Sequence, residues 1–453
     1  MTSQSIRPEE PSAAQPLVRL PDGTIKQVSP MTGTVVWTIP GRAHRPLAVL
    51  SHDRRPADPS EKDLLCGFCS GRHLETPPEK SRLVAGPDGS WSVLDDVPLS
   101  RLSETVAQFR RIPNLFEILS VDYWRANHGY VVPDEILARA DAYMAEPRGR
   151  AHVLEILRRR AIASGTTDVE WAQVPEATKL AEGVDLFAGS HDVIVAHRHL
   201  VDGATYDDEL AGSGTLTPQE HHAFLAFTIT AMEQLYASRA HARYVAVFQN
   251  WLAPAGASFD HLHKQLVALD EHGPQTDREL KRLRDDPDIF TTAVLDHAVA
   301  HRLVVAENDH AIAIAGVGHR YPSLEVYSRS EHHLPWNHSE DEVRAVSDLL
   351  HAVHAATGVH VPTNEEWYHR PPDAPEPMPW HIVLKWRTST LAGFEGGTKI
   401  NINTVDPATL RYRVVKELYR LREAGAIADM RIGDECSHLT GTLRYTQGID
   451  RWE

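Results

Sequence analysis

The chain has 453 residues, with 46 Lys and Arg against 62 Asp and Glu and a formal net charge of −16. That length supports two or three domains, or one duplicated architecture, around a large buried core. The acidic balance argues against sequence-independent nucleic-acid binding, which needs cations in excess to displace counterions, although a small anionic ligand needs only a few local ones.

Uncharged stretches such as Ala311 to Gly318 are too short to span a bilayer, so no membrane association is expected. The first residues lack the apolar core of a secretory signal and read as a disordered leader, which makes the cytoplasm the expected location. Three cysteines cannot build a disulfide framework. Two of them, Cys66 and Cys69, form a C-x-x-C pair, which in a chain without an export signal points to metal or redox chemistry. The unusual number is the 27 histidines.

In chain order, regular structure is expected to begin near Val35. Residues 66–78 are turn-rich and form a loop that holds the cysteines. Residues 131–160 carry a charged helical pattern, and a helical insertion is expected over about 121–188. A strand over 192–196 ends at His197-Arg-His199. Thr217-Pro-Gln-Glu220 is a capping box with proline at the first helical position, opening a helix that buries Leu225, Ile229, Met232 and Tyr236. A strand over 244–248, a turn-rich run from Asn250 to Asp260 and a strand entered through His261-Leu-His263 follow.

The second half repeats that order. Strands at 303–306, 311–315 and 324–327 lead to His332-His333. The capping box Ser339 to Glu342 opens a helix closed by Gly358, followed by a loop from Asn364 to His369 and a strand over 381–384.

His261 and His263 lie on one face of a strand because side chains alternate, and Gln265 joins them. One imidazole can be pinned to a metal while the next faces a substrate. The C-x-x-C pair needs two further ligands for a tetrahedral zinc site, and His199 and His261 are the best placed. The small-residue turn from Ala255 to Ser258 can receive phosphate oxygens through backbone amides and the Ser258 hydroxyl. His221, His222, His351 and His354 fall on helices, where a solvated or partly buried structural role is expected.

Several segments resemble the galactose-1-phosphate uridylyltransferase family, within the histidine-triad superfold. They are Trp37 to Pro46, Cys66 to Gly71 with Thr76-Pro-Pro-Glu79, Arg111-Ile-Pro-Asn114, Gly189 to Val195 and Asn250. Further along come Ala255 to Gln265, Trp380-His381, Ala392 to Thr398 and Asn401 to Val405. Together the cysteine segment and H-x-H-x-Q are quite specific. The resemblance implies an α+β fold of two tandem histidine-triad-like halves with antiparallel sheets and a helical insertion in the first. The expected divisions are a leader over 1–29, a catalytic half over 30–270 and a second half with a tail over 271–453.

By the same resemblance, Cys66, Cys69, His199 and His261 hold one zinc, with His197 competing for the place of His199. His263 is the nucleophile that forms a nucleotidyl-histidine, Gln265 hydrogen-bonds its phosphoryl oxygens, and Ser258 assists. Arg42, Arg45, Asn114 and Asn250 contact the nucleotide, and Glu395 the sugar. Glu279, His369 and His381 match a second metal site, in which Pro379 stands where the family has a fourth ligand. The implied function is nucleotidyl transfer between a nucleoside diphosphate sugar and a sugar phosphate. Phosphorolysis, hydrolysis and non-catalytic nucleotide binding are the alternatives, and a homodimer is the expected assembly. Lys264, between nucleophile and glutamine, is expected to point to the opposite face while its charge disfavours an imidazolium at His263.

Overall fold

The computed structural model describes residues 10–12, 15–41, 54–438 and 443. Three short strands come first, β1 (Leu17–Arg19), β2 (Ile25–Val28) and β3 (Val35–Thr38), so regular structure begins ahead of the expected start near Val35. The first half adds β4 (Ser81–Ala85), β5 (Trp91–Asp95), β6 (Ala107–Pro113), β7 (His191–Ala196), β8 (Tyr244–Trp251) and β9 (His263–Leu269). The second half adds β10 (Val304–Glu307), β11 (Ala311–Ala315), β12 (Ser323–Ser328), β13 (Thr363–Tyr368) and β14 (His381–Trp386). Two more, β15 (Ile400–Asn403) and β16 (Arg431–Ile432), complete the set.

These strands make one 12-stranded sheet in the order β16-β10-β11-β12-β14-β13-β8-β9-β7-β6-β4-β5. Outward from the central pair, β8-β9-β7-β6-β4 on one side answers β13-β14-β12-β11-β10 on the other, so the repeated order of parts in the sequence is a repeated order in space. Every pairing in this sheet is antiparallel. A separate four-stranded sheet, β1-β2-β3-β15, contains one parallel pair, with Ile400 opposite Val35.

Both capping boxes form. The Thr217 hydroxyl accepts from Glu220 N at 3.2 Å, while the Glu220 carboxylate accepts from Thr217 N at 2.8 Å. Ser339 and Glu342 do the same, at 3.3 and 2.8 Å. The helices they open, Pro218–Ser238 and Glu340–Thr357, pack on each other against one face of the sheet. Leu266, Ala268, Phe224, Leu225, Leu349 and Leu350 are all buried in that shared core. Alternation then sends His263, Gln265 and Val267 to the other face.

The expected loop from Asn364 to His369 is instead strand β13. Its polar run looked unlike a buried strand, but every carboxylate in it has a partner. Glu365 takes Lys264 and His354, and Glu366 takes Lys385 and the Tyr368 hydroxyl. A buried polar strand is stable when its charges are paired and hydrogen-bonded. The turn-rich run expected from Asn250 also starts later, because β8 continues through Trp251 to pair with β13, setting Asn250 opposite Asn364.

The insertion is helical, with helices Val121–His128, Asp134–Ala145, Pro147–Ala163, Asp168–Gln173, Glu176–Gly183 and Asp185–Ala188. It has its own core, including Ala140, Met144, Val153, Ile156, Leu157 and Phe187. It also braces the cysteine loop. The Tyr143 hydroxyl donates to His152 Nδ1 at 2.7 Å, and His152 Nε2–H donates to the Thr76 carbonyl at 2.9 Å.

Candidate active site and metal cluster

Cys66, Cys69, His199 and His261 converge, their ligand atoms all within 4.8 Å of one another. Cys66 Sγ lies 3.5 Å from both His199 Nδ1 and His261 Nδ1. Cys69 Sγ lies 3.5 and 3.7 Å from the same nitrogens, and 3.7 Å from Cys66 Sγ. His261 donates its other ring N–H, on Nε2, to the Ala196 carbonyl at 2.7 Å, which leaves Nδ1 unprotonated and turned to the cluster. This is the arrangement by which a histidine is oriented for a metal. The hydrogen bond from Cys66 outweighs burial and holds Cys69 on the thiolate side. His199 completes the set, whereas His197, its rival, takes no part in the cluster.

Two residues beyond His261, the His263 ring donates Nδ1–H to the His261 carbonyl at 2.7 Å. Its Nε2 therefore carries the lone pair. Burial, only partly offset by that hydrogen bond, pushes its pKa down to about 4, so the ring is neutral. The edge of Phe68 packs on it with ring centroids 5.1 Å apart, and Phe259 packs on Phe68 at 4.6 Å. Phe68 sits inside the C-x-x-C pair, and Arg110 holds its carbonyl at 3.0 Å. The cysteine loop thus supplies both sulfur ligands and one wall around the imidazole.

Lys264 points to the opposite face as expected, but its charge does not bear on His263. It is fully buried against Glu365, with Gln249 Oε1 at 3.1 Å. Glu365 also accepts from Trp367 Nε1 at 2.6 Å and His354 Nε2 at 2.7 Å. His221, His351 and His354 are buried rather than solvated. His221 meets the Ser347 hydroxyl at 2.7 Å and His351 the Leu216 carbonyl at 2.7 Å, so these helical histidines belong to a polar layer beneath the site.

Around His263, Gln265 accepts from His191 Nε2 at 3.0 Å, and Asn114 Nδ2 lies 3.1 Å from the same nitrogen. Asn250 Oδ1 accepts from Asn364 Nδ2 at 2.7 Å, joining the two halves at the centre of the sheet. Ser258 is exposed in the turn that follows Gly256, whose φ of +91° favours glycine. Arg42 and Arg45 lie outside the described residues.

Glu395 is placed elsewhere. It caps the short helix Gly393–Thr398 and lines a cavity of about 920 Å³ in the second half, together with Glu279 and His381. Glu279, His369 and His381 are not gathered into a cluster; among the described residues the Cys66 group alone brings three or more candidate ligands together. His369 Nε2 takes the Tyr236 hydroxyl at 2.9 Å, and His381 Nδ1–H donates to the Pro379 carbonyl at 2.9 Å. Among the described residues Glu279 Oε2 and His369 Nδ1 are buried without hydrogen-bond partners, and burial raises the Glu279 carboxyl to about 7.

Sequence reasoning gave no role to His191, Phe68 or His152. The signal for His191 was its place at the head of a strand that must neighbour the H-x-H strand.

Two halves of antiparallel strands in one sheet, with H-x-H-x-Q beside a Cys₂His₂ cluster, make this a protein of galactose-1-phosphate uridylyltransferase-like fold. The chain belongs to the family described as a domain of unknown function, DUF4921, which it matches over residues 20–445. It is 24% identical over 399 residues to an ADP-glucose phosphorylase of Arabidopsis thaliana, a match covering 86% of this chain and 91% of that protein. The crystal structure of an ADP-glucose phosphorylase from Arabidopsis thaliana with bound ADP-glucose superposes with a TM-score of 0.56 at 20% identity, over 86% of this chain and 97% of the other. A GalT-like protein of the same plant gives 0.52 at 20% identity, over 78% and 92%. Among the described residues no helix is long and apolar enough to cross a membrane.

Proposed function

We propose that the protein is a nucleotidyltransferase that takes a nucleoside monophosphate from a nucleoside diphosphate sugar onto His263. The observation that carries this reading is the His263 ring itself. It is buried and neutral, with Nδ1 tied to a backbone carbonyl and Nε2 bearing the lone pair beside Gln265.

His263 Nε2 attacks the α-phosphorus, the bond from that phosphorus to the bridging oxygen breaks, and the sugar phosphate leaves with the electron pair. An acceptor phosphate oxygen then attacks the nucleotidyl-histidine, and Nε2 departs as neutral imidazole. Neutral imidazole suits both steps, being nucleophilic near neutral pH and a competent leaving group. Gln265 contributes a fixed amide to the phosphoryl oxygens but no transferable proton, which disfavours water as the acceptor. Ser258 and the turn before it offer further donors at the site. Asn114 and Asn250 face the nucleotide, while Arg42 and Arg45 supply positive charge; orientation and charge stabilisation provide most of the rate.

Zinc fits the Cys66, Cys69, His199 and His261 set. Tetrahedral zinc with ordinary bond lengths gives S···N edges of about 3.5 Å and S···S edges of about 3.8 Å, and the separations here are 3.5–3.7 and 3.7 Å. Bound there, zinc ties the cysteine loop to the ends of β7 and β9 and keeps the His261 backbone in place under His263.

For the acceptor, a sugar phosphate is the reading from the H-x-H-x-Q motif, and inorganic phosphate is favoured by the likeness to an ADP-glucose phosphorylase. Intact-mass measurement after incubation with a panel of nucleoside diphosphate sugars tests the shared first step. A nucleotide-sized gain lost in His263→Ala is expected, and an adduct that survives that substitution would sink the proposal. Chasing the adduct with phosphate or with sugar phosphates separates the two acceptors.

A further inference from the structure

We infer that His191 is a positioning residue that fixes which end of the Gln265 amide meets the substrate. The inference rests on the reading of His263 as nucleophile and adds to it a buried side chain with no other assigned role.

His191 opens β7 opposite Val267, on the face of the sheet that carries His263 and Gln265. The residue is 2% exposed. The backbone N–H of Ile118 donates to His191 Nδ1 at 3.2 Å. A backbone N–H can only donate, so Nδ1 holds a lone pair and the ring proton sits on Nε2. That proton goes to Gln265 Oε1, 3.0 Å away. Asn114 Nδ2, 3.1 Å from the same Nε2, is itself a donor, so it cannot accept that proton and the two donors face each other there without a hydrogen bond. Nor can Asn114 turn round, because its Oδ1 accepts from Phe116 N at 2.9 Å.

With its oxygen engaged, Gln265 presents the NH₂ end. Phosphoryl oxygens only accept, so an NH₂ end attracts them where an amide oxygen would repel them. An Asn or Gln amide is otherwise nearly symmetric in shape, and its direction is set by its hydrogen-bond partners.

The backbone holding the ring is fixed as well. Asn114 N–H donates to the His191 carbonyl at 2.7 Å. Glu117 Oε1 accepts from Ser190 N at 2.8 Å and His191 N at 3.3 Å. On the other face of β7, Asp192 is clamped by Lys80 at 2.6 Å and Arg111 Nε at 2.7 Å.

The test compares rates of adduct formation by rapid mixing with ADP-glucose and UDP-glucose, read by intact mass. His191→Leu should slow adduct formation on the order of 10-fold to 100-fold, with half-saturation by the donor changed far less. His191→Gln, which can return an N–H to Gln265, should recover much of the loss. The double variant His191→Leu/Gln265→Leu should be no slower than Gln265→Leu alone, because both remove one interaction. Additive losses, or an unchanged rate in His191→Leu, would overturn the inference. The ¹⁵N-histidine spectrum of the wild-type protein, with the His191 signals assigned by difference from His191→Gln, reads the tautomer without any substrate. A proton on Nδ1 would overturn the inference whatever the activity. A wild-type protein that forms no adduct with any donor counts against nucleotidyl transfer, while the tautomer still decides the role of His191.

Discussion

His263 and His381 occupy answering positions in the two halves, and the backbone treats them alike. Each opens a strand, each donates Nδ1–H to the carbonyl two residues back, at 2.7 and 2.9 Å, and burial takes each down to about 4. Their surroundings differ. His263 has Gln265 two residues on, the Cys₂His₂ cluster behind it and an aromatic edge beside it. His381 has Val383 in the glutamine's place and lies between Tyr327 and Tyr368, stacked at 4.8 and 5.1 Å. Strand geometry therefore presents an imidazole twice; in the proposed reading the first has the partners for phosphoryl transfer, while the second is stacked between two tyrosines at the edge of the second-half cavity.

The comparison breaks most visibly on the histidines themselves. His263→Ala should abolish the nucleotide adduct, whereas His381→Ala should keep it and lower Tm, read by intact mass and thermal melting. Equal loss of adduct in both would mean that the halves share the chemistry. Next in size is the metal cluster. Cys66→Ser should remove bound zinc, measured by elemental analysis, and lower Tm together with the adduct rate, because the loop that carries Phe68 loses its anchor.

A smaller effect is expected at the seam between the halves. Lys264→Met leaves the buried Glu365 carboxylate without its lysine, held only by Trp367 and His354, which should cost about 3–5 kcal/mol in denaturant unfolding. Removing both charges, in Lys264→Met/Glu365→Leu, should recover most of it. An equally unstable double variant would show that packing, rather than charge, holds the seam.

The smallest effect is the pH dependence. Burial alone would raise Glu365 and Asp192, but their partners outweigh it: the Lys264 ammonium and the hydrogen bond from His354 hold Glu365 low, and Arg111 and Lys80 hold Asp192 low. Groups depressed in the folded state stabilise it above their unfolded values of about 4. That stability drains away as pH falls through and below those values, so unfolding free energy should decline steadily on acidification. In Glu365→Gln the decline should be shallower.

Much of this was legible from local sequence. Both capping boxes, the helical insertion and the period-two placing of His263 and Gln265 follow from short-range rules and appear where the residues put them, whereas His261 lies in the bend just before β9 rather than on the strand. Strand β13 was not legible, because Thr-Asn-Glu-Glu-Trp-Tyr has the composition of a loop until its partners on four other elements are known. The histidines at 221, 351 and 354 have the structural role expected of them but lie deeper than a solvated or partly buried position, for the same reason. Helical spacing shows a face, but not that a second helix and a sheet will close over it.

The sequence by itself determined the order of parts and the types of group on offer: two cysteines three apart, two histidines two apart and a glutamine two further on. Alternation along one strand is enough to align the second histidine with the glutamine. Only the tertiary structure decided that His199 rather than His197 joins the cysteines, that Lys264 is answered by Glu365, and that His191 faces Gln265. Those pairings span sequence separations from 74 to 133 residues, and what selects them is the register of neighbouring strands and the cost of leaving a buried polar atom without a partner.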